Sequence, residues 1–310
     1  MKRAIHFLLI EQLDFLELMN RWLTLVPVAG AAISLCATAE ARPMVFGGKL
    51  PLTRGVTSIE GSTGGGLSTW ALVAGNETED GVGASAFVTR VPLSDYDFSA
   101  YGVAIGFFDR VELSLAHQEF DTGATGAALG LAEGFTFEQD IVGLKLRVLG
   151  DAVYAQDSWL PQVAVGVQYK HAEHDWLLAA LGAEDDEGFD VYVSATKVVL
   201  DQSLILNATV RGTRANQFGL LGHGGDQDDE YHAEIELSAA YMVTDRLIVG
   251  AEYRTRPDNL GFAEEERGYD VFAAYALTEN LTLVGGYVDL GSIATFDDQD
   301  GAYLSLQIGF

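Results

Sequence analysis

The chain predicts an all-β fold: a transmembrane antiparallel up-and-down β-barrel of about 14 strands, preceded by a cleaved signal peptide. Three observations carry the prediction. The chain ends in Ala302-Tyr303-Leu304-Ser305-Leu306-Gln307-Ile308-Gly309-Phe310, where apolar residues alternate with small or polar ones up to the terminal aromatic. Strand-like segments of the same alternation recur throughout. The connections between them are short on one side and long on the other.

The signal is read first, because it leaves the mature chain. Met19-Asn20-Arg21 precedes an uncharged stretch from Trp22 to Ala39, and Ala39-Glu40-Ala41 supplies a small-x-small cleavage site. Residues 1–41 are therefore expected to be removed. Glu11, Asp14 and Glu17 suit the start of a signal poorly, which makes Met19 an alternative start. A spanning helix over 22–39 is disfavoured by Pro27 and the small-residue end. Cys36 follows Leu35, where a lipid-anchor signal requires a small residue. It is the single cysteine, so the mature chain has no disulfide and no thiolate chemistry.

About 270 residues remain. With 35 Gly, 6 Pro, 12 Tyr and 16 Phe in the full chain, and turn signals at short intervals, they read as many strands in one unit. No mature segment is long and apolar enough for a spanning helix. A net charge of -27 argues against nucleic acid or an anionic surface as a partner.

The first strands are expected at 54–61 and 67–75, and the others run from 82–91 to 301–310. Residues 42–53 form an N-terminal segment, either a lumenal plug or a periplasmic tail, and 54–310 the barrel. Alternation assigns the two faces. Val163, Val165, Val167 and Tyr169 oppose Gln162, Ala164, Gly166 and Gln168; Leu247, Val249, Ala251 and Tyr253 oppose Ile248, Gly250, Glu252 and Arg254. A soluble sandwich alternates as well, so connection length decides. Phe108-Asp109, Leu200 to Ser203, Thr244-Asp245 and Thr278-Glu279-Asn280 are tight, with Leu149 to Leu160 an exception. Asp121 to Thr136, His171 to Gly188, Arg214 to Glu230, Arg256 to Gly268 and Gly291 to Asp300 are long. Tyr169, Tyr231, Tyr241, Tyr253, Tyr269, Tyr275, Tyr287 and Phe310 lie towards strand ends, where aromatic rings sit at a lipid-water boundary.

Several segments together resemble a known family: Gly134-Phe-Thr-Phe-Glu-Gln-Asp140, Trp159-Leu-Pro-Gln-Val-Ala-Val-Gly166, Tyr192-Val-Ser-Ala-Thr-Lys197, Ala251-Glu-Tyr-Arg-Thr-Arg-Pro-Asp-Asn-Leu260 and Tyr287-Val-Asp-Leu-Gly291. They are similar to a proteobacterial outer-membrane β-barrel family of unknown function, domain of unknown function 3034. The resemblance runs from Gly47 to Phe310. It implies one continuous domain in the outer membrane of a Gram-negative bacterium and no activity or site residues.

Alternation sends Glu112, Lys145, Arg147, Gln168, Lys170, Asn207, Arg211, Glu234, Glu236, Glu252, Arg254 and Gln307 to the lumen. Of these, Glu112, Lys145, Arg147, Arg211, Glu234, Glu236, Glu252 and Arg254 are the selectivity candidates of a pore; paired with one another, they are structural. The long loops carry acid at Asp185, Asp186, Asp226, Asp228, Asp229, Glu265, Asp297 and Asp298. That acid either draws cations to a mouth or forms a solvated surface. Trp176 to Leu181 and Phe218 to Leu221 are apolar loop segments suited to narrowing the lumen or lining an apolar entrance.

Catalytic constellations are weak. Ser114 and His117 share a strand, but at this spacing they face opposite sides. His171-x-x-His174-Asp175 lacks a third ligand, and Gly64-Gly65-Gly66 lacks a phosphate loop's context. No enzyme, cofactor or metal is expected. The expected partners are outer-membrane lipid and lipopolysaccharide, the barrel assembly machinery through Phe310, and small solutes. The sequence implies a passive channel or diffusion transporter, possible cation bias included. A transporter of hydrophobic compounds with a plugged lumen, and a closed structural or adhesion barrel, are the alternatives.

Overall fold

Twelve strands, alternating apolar and polar, close on themselves. The computed structural model of the protein describes residues 56–76, 79, 81–128 and 130–310. The expected signal (1–41, with Met19) and the 42–53 segment lie outside them. The strands are β1 (Val82–Pro92), β2 (Asp97–Phe107), β3 (Val111–Asp121), β4 (Thr136–Leu149), β5 (Gln162–Ala172) and β6 (Glu187–Val199). They continue as β7 (Leu204–Thr213), β8 (His232–Thr244), β9 (Leu247–Arg254), β10 (Gly268–Ala276), β11 (Leu281–Asp289) and β12 (Asp300–Gly309). Each pairs antiparallel with its sequence neighbours, and β12 returns to β1 from Ser85↔Gly309 to Arg90↔Leu304. Closure removes the sheet edges that hydrocarbon would not tolerate.

Along β6, Phe189, Val191 and Val193 are exposed while Asp190, Tyr192 and Ser194 are buried. The same split holds on β8 and β10: Ile235, Leu237, Tyr269 and Val271 face out, Glu236, Ser238, Asp270 and Phe272 face in. An apolar exterior around a polar interior inverts a soluble fold and is stable only in lipid. Tyr231, Tyr241, Tyr269, Tyr275, Tyr287 and Phe310 are exposed, as an interfacial girdle requires, and Tyr169 stacks near Phe189 with ring centroids 5.2 Å apart. No helix among the described residues is long and apolar enough to cross a membrane. Among the described residues, two α-helical turns, α1 (Thr125–Ala128) and α2 (Asp175–Ala180), both lie in long loops.

The expected count of about 14 strands is corrected to 12. Of the expected strands 54–61 and 67–75, the described residues 56–61 and 67–75 are not wall strands. From Val56 onward this stretch lies inside the barrel, where its two short bridges, Thr57↔Thr63 and Gly64↔Thr69, are internal to it. The misreading has a physical cause. Buried backbone needs partners, and here barrel side chains supply them in place of a neighbouring strand. Gly61, at φ +87°, makes the reversal that a strand would not contain. The stretch leaves the lumen at the short-turn rim, where Asn76 N donates to Phe310 O (2.7 Å), and then becomes β1.

Candidate functional site

The inner segment meets two unlike halves of the barrel. Against β5–β9 it is held by charge. Glu60, fully buried, contacts Lys170 Nζ at 2.5 Å, Arg254 Nη2 at 3.0 Å and Arg211 Nη2 at 3.2 Å. Asp190 pairs with Lys170 (2.8 Å) and Arg211 (3.2 Å), and Glu236 with Arg211 (2.6 Å). Three acids thus match three bases, and the cluster has no net charge. Buried ions are tolerated only with such complete pairing.

The wall also satisfies the backbone of the inner segment. Glu112 accepts from Thr63 N (3.1 Å) and Ala74 N (2.9 Å), Glu252 from Leu67 N (2.7 Å), and Glu236 from Thr69 N (2.7 Å). Lys145 Nζ, 3.0 Å from Glu112, donates to Thr63 O and Leu72 O, and Arg254 Nη1 donates to Leu67 O. Asn207 and Thr209 both donate to Thr69 O, and Gln307 bonds Thr57 through its N–H and its carbonyl. Gly64-Gly65-Gly66 permits close approach: a Cβ on Gly65 would lie 1.8 Å from Glu252 Oε1.

Of the lumen candidates, Glu112, Lys145, Gln168, Lys170, Asn207, Arg211, Glu236, Glu252, Arg254 and Gln307 are buried inside the barrel. Arg147 instead clamps the short-turn rim, bonding Gly150 O, Asp109 and Asp151. Glu234 is only half-buried, opposite Arg211 in register. Glu60, Asp190 and Asp270 belong to the interior as well. Asp190 and Asp270 share the inward parity of their strands, which was the available signal; Glu60 was hidden by its misread strand.

Against β10–β12 and β1–β2 the interior is apolar and incompletely filled. A cavity of about 200 Å³ lies there, walled by Val91, Phe98, Phe272, Val284 and Val288 and floored by Val56, Ile59 and Leu67 of the inner segment. Leu177, Leu181, Phe218, Leu220 and Leu221 roof it, so both apolar loop segments fold inward while Trp176 is exposed. Gln217 and Phe218 take left-handed backbone at φ +45° and +62°, a conformation that costs energy in non-glycine residues. Contacts hold it: Phe218 O accepts from Lys170 Nζ (2.9 Å), and Arg254 and Arg256 lie 4.6 and 5.0 Å from its ring centroid.

The acidic loops are largely paired to the barrel's own bases. Arg214 bridges Asp185 (2.6 Å) and Asp229; His171 lies 3.5 Å from Asp186 and His232 3.3 Å from Asp228. Asp226 accepts from Gly261 N and Asp297 from Ser292 Oγ. Asp298 is exposed. Glu265 departs from a surface position: it is buried, 3.3 Å from Arg256, and accepts from Gln217 N (2.7 Å). Its carboxylate braces the strained turn that carries Phe218. His223, fully buried under the same loops, has neither ring nitrogen hydrogen-bonded among the described residues. Burial lowers its pKa to about 4, partly opposed by Asp190.

Residues 53–307 match the model of a family described as "Protein of unknown function (DUF3034)". The chain belongs to this family. This DUF3034 member is an outer-membrane β-barrel of a Gram-negative bacterium, with the apolar exterior and closed wall that location demands. No curated protein matches it. Among solved structures it is similar to the KdgM porin (TM-score 0.48, 10% identity, covering 73% of this chain and 99% of that one). It is also similar to an outer-membrane channel from Pseudomonas putida F1 (0.43, 12%, 74% and 94%) and to outer membrane phospholipase A from Escherichia coli (0.42, 9%, 73% and 92%). Channels and an enzyme share this level of likeness, which selects neither activity.

Proposed function

We propose that this barrel is a diffusion transporter for small apolar compounds, with a lumen closed to ions by its inner segment. The observation that supports this most directly is the cavity of about 200 Å³ between that segment and the loops, walled by aliphatic and aromatic side chains. Ligand sites are concave and mainly apolar, with a few placed polar groups. An open, cation-biased pore is the weaker reading. The wall charges that would set its field are bonded to one another and to the inner segment, so they have little left to offer a passing ion.

We read the protein as non-catalytic. Ser114 is buried in the lumen while His117 lies on the outward parity of the same strand, bonded to Asp140 at 2.9 Å. A nucleophile and its base need mutual reach. Phe310, exposed at the end of β12, is the proposed contact for the barrel assembly machinery.

The test has two arms. In planar bilayers the folded protein should give no stable ion-conducting steps. In vesicles with lipopolysaccharide in the outer leaflet, it should speed uptake of a single-ring apolar compound, and the rate should saturate. Large, steady conductance steps together with unassisted uptake would sink the reading.

A further inference from the structure

A carboxylate oxygen buried beside an apolar space needs a donor. Asp270, on β10, is 2% exposed and lines the cavity. Its Oδ2 accepts a 2.6 Å hydrogen bond from Tyr303 Oη. Its Oδ1 has no hydrogen-bond partner among the described residues. The carboxylate of Glu252, in register across β9, is taken up by Leu67 N and Ser238 Oγ. Gly66 brings the inner segment onto the bonded side, where a Cβ would lie 3.2 Å from Asp270 Oδ2 and 3.4 Å from Tyr303 Oη. A second group, Thr57 Oγ1, is likewise buried, unbonded and on a residue that lines the cavity.

We infer that the cavity selects a small neutral ring compound bearing one hydroxyl, whose O–H donates to Asp270 Oδ1. The inference rests on the apolar-cavity reading above and names its ligand class. Size sets the ring: a dry cavity of about 150 Å³ accepts benzene, and about 200 Å³ admits a ring with one or two small substituents. Neutrality follows from the lining, since an ionic head group would lose its hydration among aromatic and aliphatic walls. A hydroxyl supplies the one donor that the acceptor lacks.

The probes are 4-fluorophenol and fluorobenzene, which differ by that hydroxyl. Fluorine NMR of the full-length protein in lipid nanodiscs, with empty nanodiscs as the blank, reads their binding. The phenol should bind at least about tenfold more tightly, the usual strength of a bond to a charged acceptor. Asp270→Val should bring the ratio below about threefold, whereas Tyr303→Phe, which frees Oδ2 as well, should preserve it. Heat-dependent gel mobility checks that both variants are folded. If both probes bind wild type equally, or Asp270→Val keeps the preference, the hydroxyl inference is overturned while the cavity reading stands. If neither probe binds above the blank, the cavity reading fails and takes the inference with it.

Discussion

The β5–β9 side of the lumen and the side made by β10–β12 with β1–β2 share one inner segment, yet they are finished differently. On the first, Glu60, Asp190 and Glu236 meet Lys170, Arg211 and Arg254 in a neutral cluster, and wall side chains take up the segment's N–H and C=O groups. On the second, apolar walls leave space, and one carboxylate oxygen is unpaired. A densely ion-paired side rigidifies and holds. An underfilled apolar side accommodates a guest. The difference separates anchoring from binding within a single barrel.

The largest break in this comparison is removal of the anchor itself. Deleting residues 56–74 should leave a lumen lined by Lys170, Arg211, Arg254 and the unmatched wall carboxylates, open to water. Planar-bilayer recording should then show stable conductance steps where the intact protein is silent; silence in both would mean that the loops alone close the barrel. A single substitution comes next. Glu60→Ala leaves three buried bases with only Asp190 and Glu236 to match them, and breaking a buried pair in this way costs on the order of 3–5 kcal/mol. A urea midpoint in lipid vesicles within about 0.5 kcal/mol of wild type, the range of a surface substitution, would show that the cluster does not anchor the segment.

How much of this was legible in the sequence follows the same division. Period-two alternation was enough for the wall: Lys170, Arg211 and Glu236 were assignable to the lumen from parity alone, and the long connections were recognisable by length. The inner segment was not legible, because Thr57, Ser58, Ser62, Thr63, Ser68 and Thr69 resemble a half-polar strand until the partners of their backbone are known. Pairing is a three-dimensional property, so Glu60 could not be matched with bases 110 to 194 positions away. Glu265 illustrates the opposite error. Within Glu264-Glu265-Glu266 nothing marks the middle carboxylate as buried, and only the fold of the loop around Gln217 turns it inward.

The roof should respond to pH through His223. Its pKa is lowered to about 4 by burial, below the unfolded value near 6.5. Between those limits the opened loop binds more protons than the closed one. Loop stability should therefore be full above pH 6.5 and fall as the pH drops, levelling off near pH 4, a loss of roughly 3 kcal/mol. Amide hydrogen exchange across residues 214–231 at pH 7, 5 and 4 measures it, and His223→Leu should flatten the profile. An unchanged protection factor at pH 5, after correction for the intrinsic pH dependence of exchange, would mean that the ring is already relieved by water.

The smallest perturbations test whether the two sides are separable. A methyl group on Gly65 would sit 1.8 Å from Glu252 Oε1, while one on Gly66 would sit 3.2 Å from Asp270 Oδ2. Gly65→Ala must push Glu252 off its bonds to Leu67 N and Ser238 Oγ, an overpacking cost of about 1–3 kcal/mol. Gly66→Ala asks for a shift of only tenths of an ångström, but beside the acceptor proposed to read the ligand. If anchoring and binding are distinct, Gly65→Ala lowers the urea midpoint and leaves the phenol-to-benzene ratio near its wild-type value. Gly66→Ala then does the reverse. Should either variant move both quantities together, Glu252 and Asp270, neighbours across one strand pair, would belong to a single coupled unit and the separation would fail at that point.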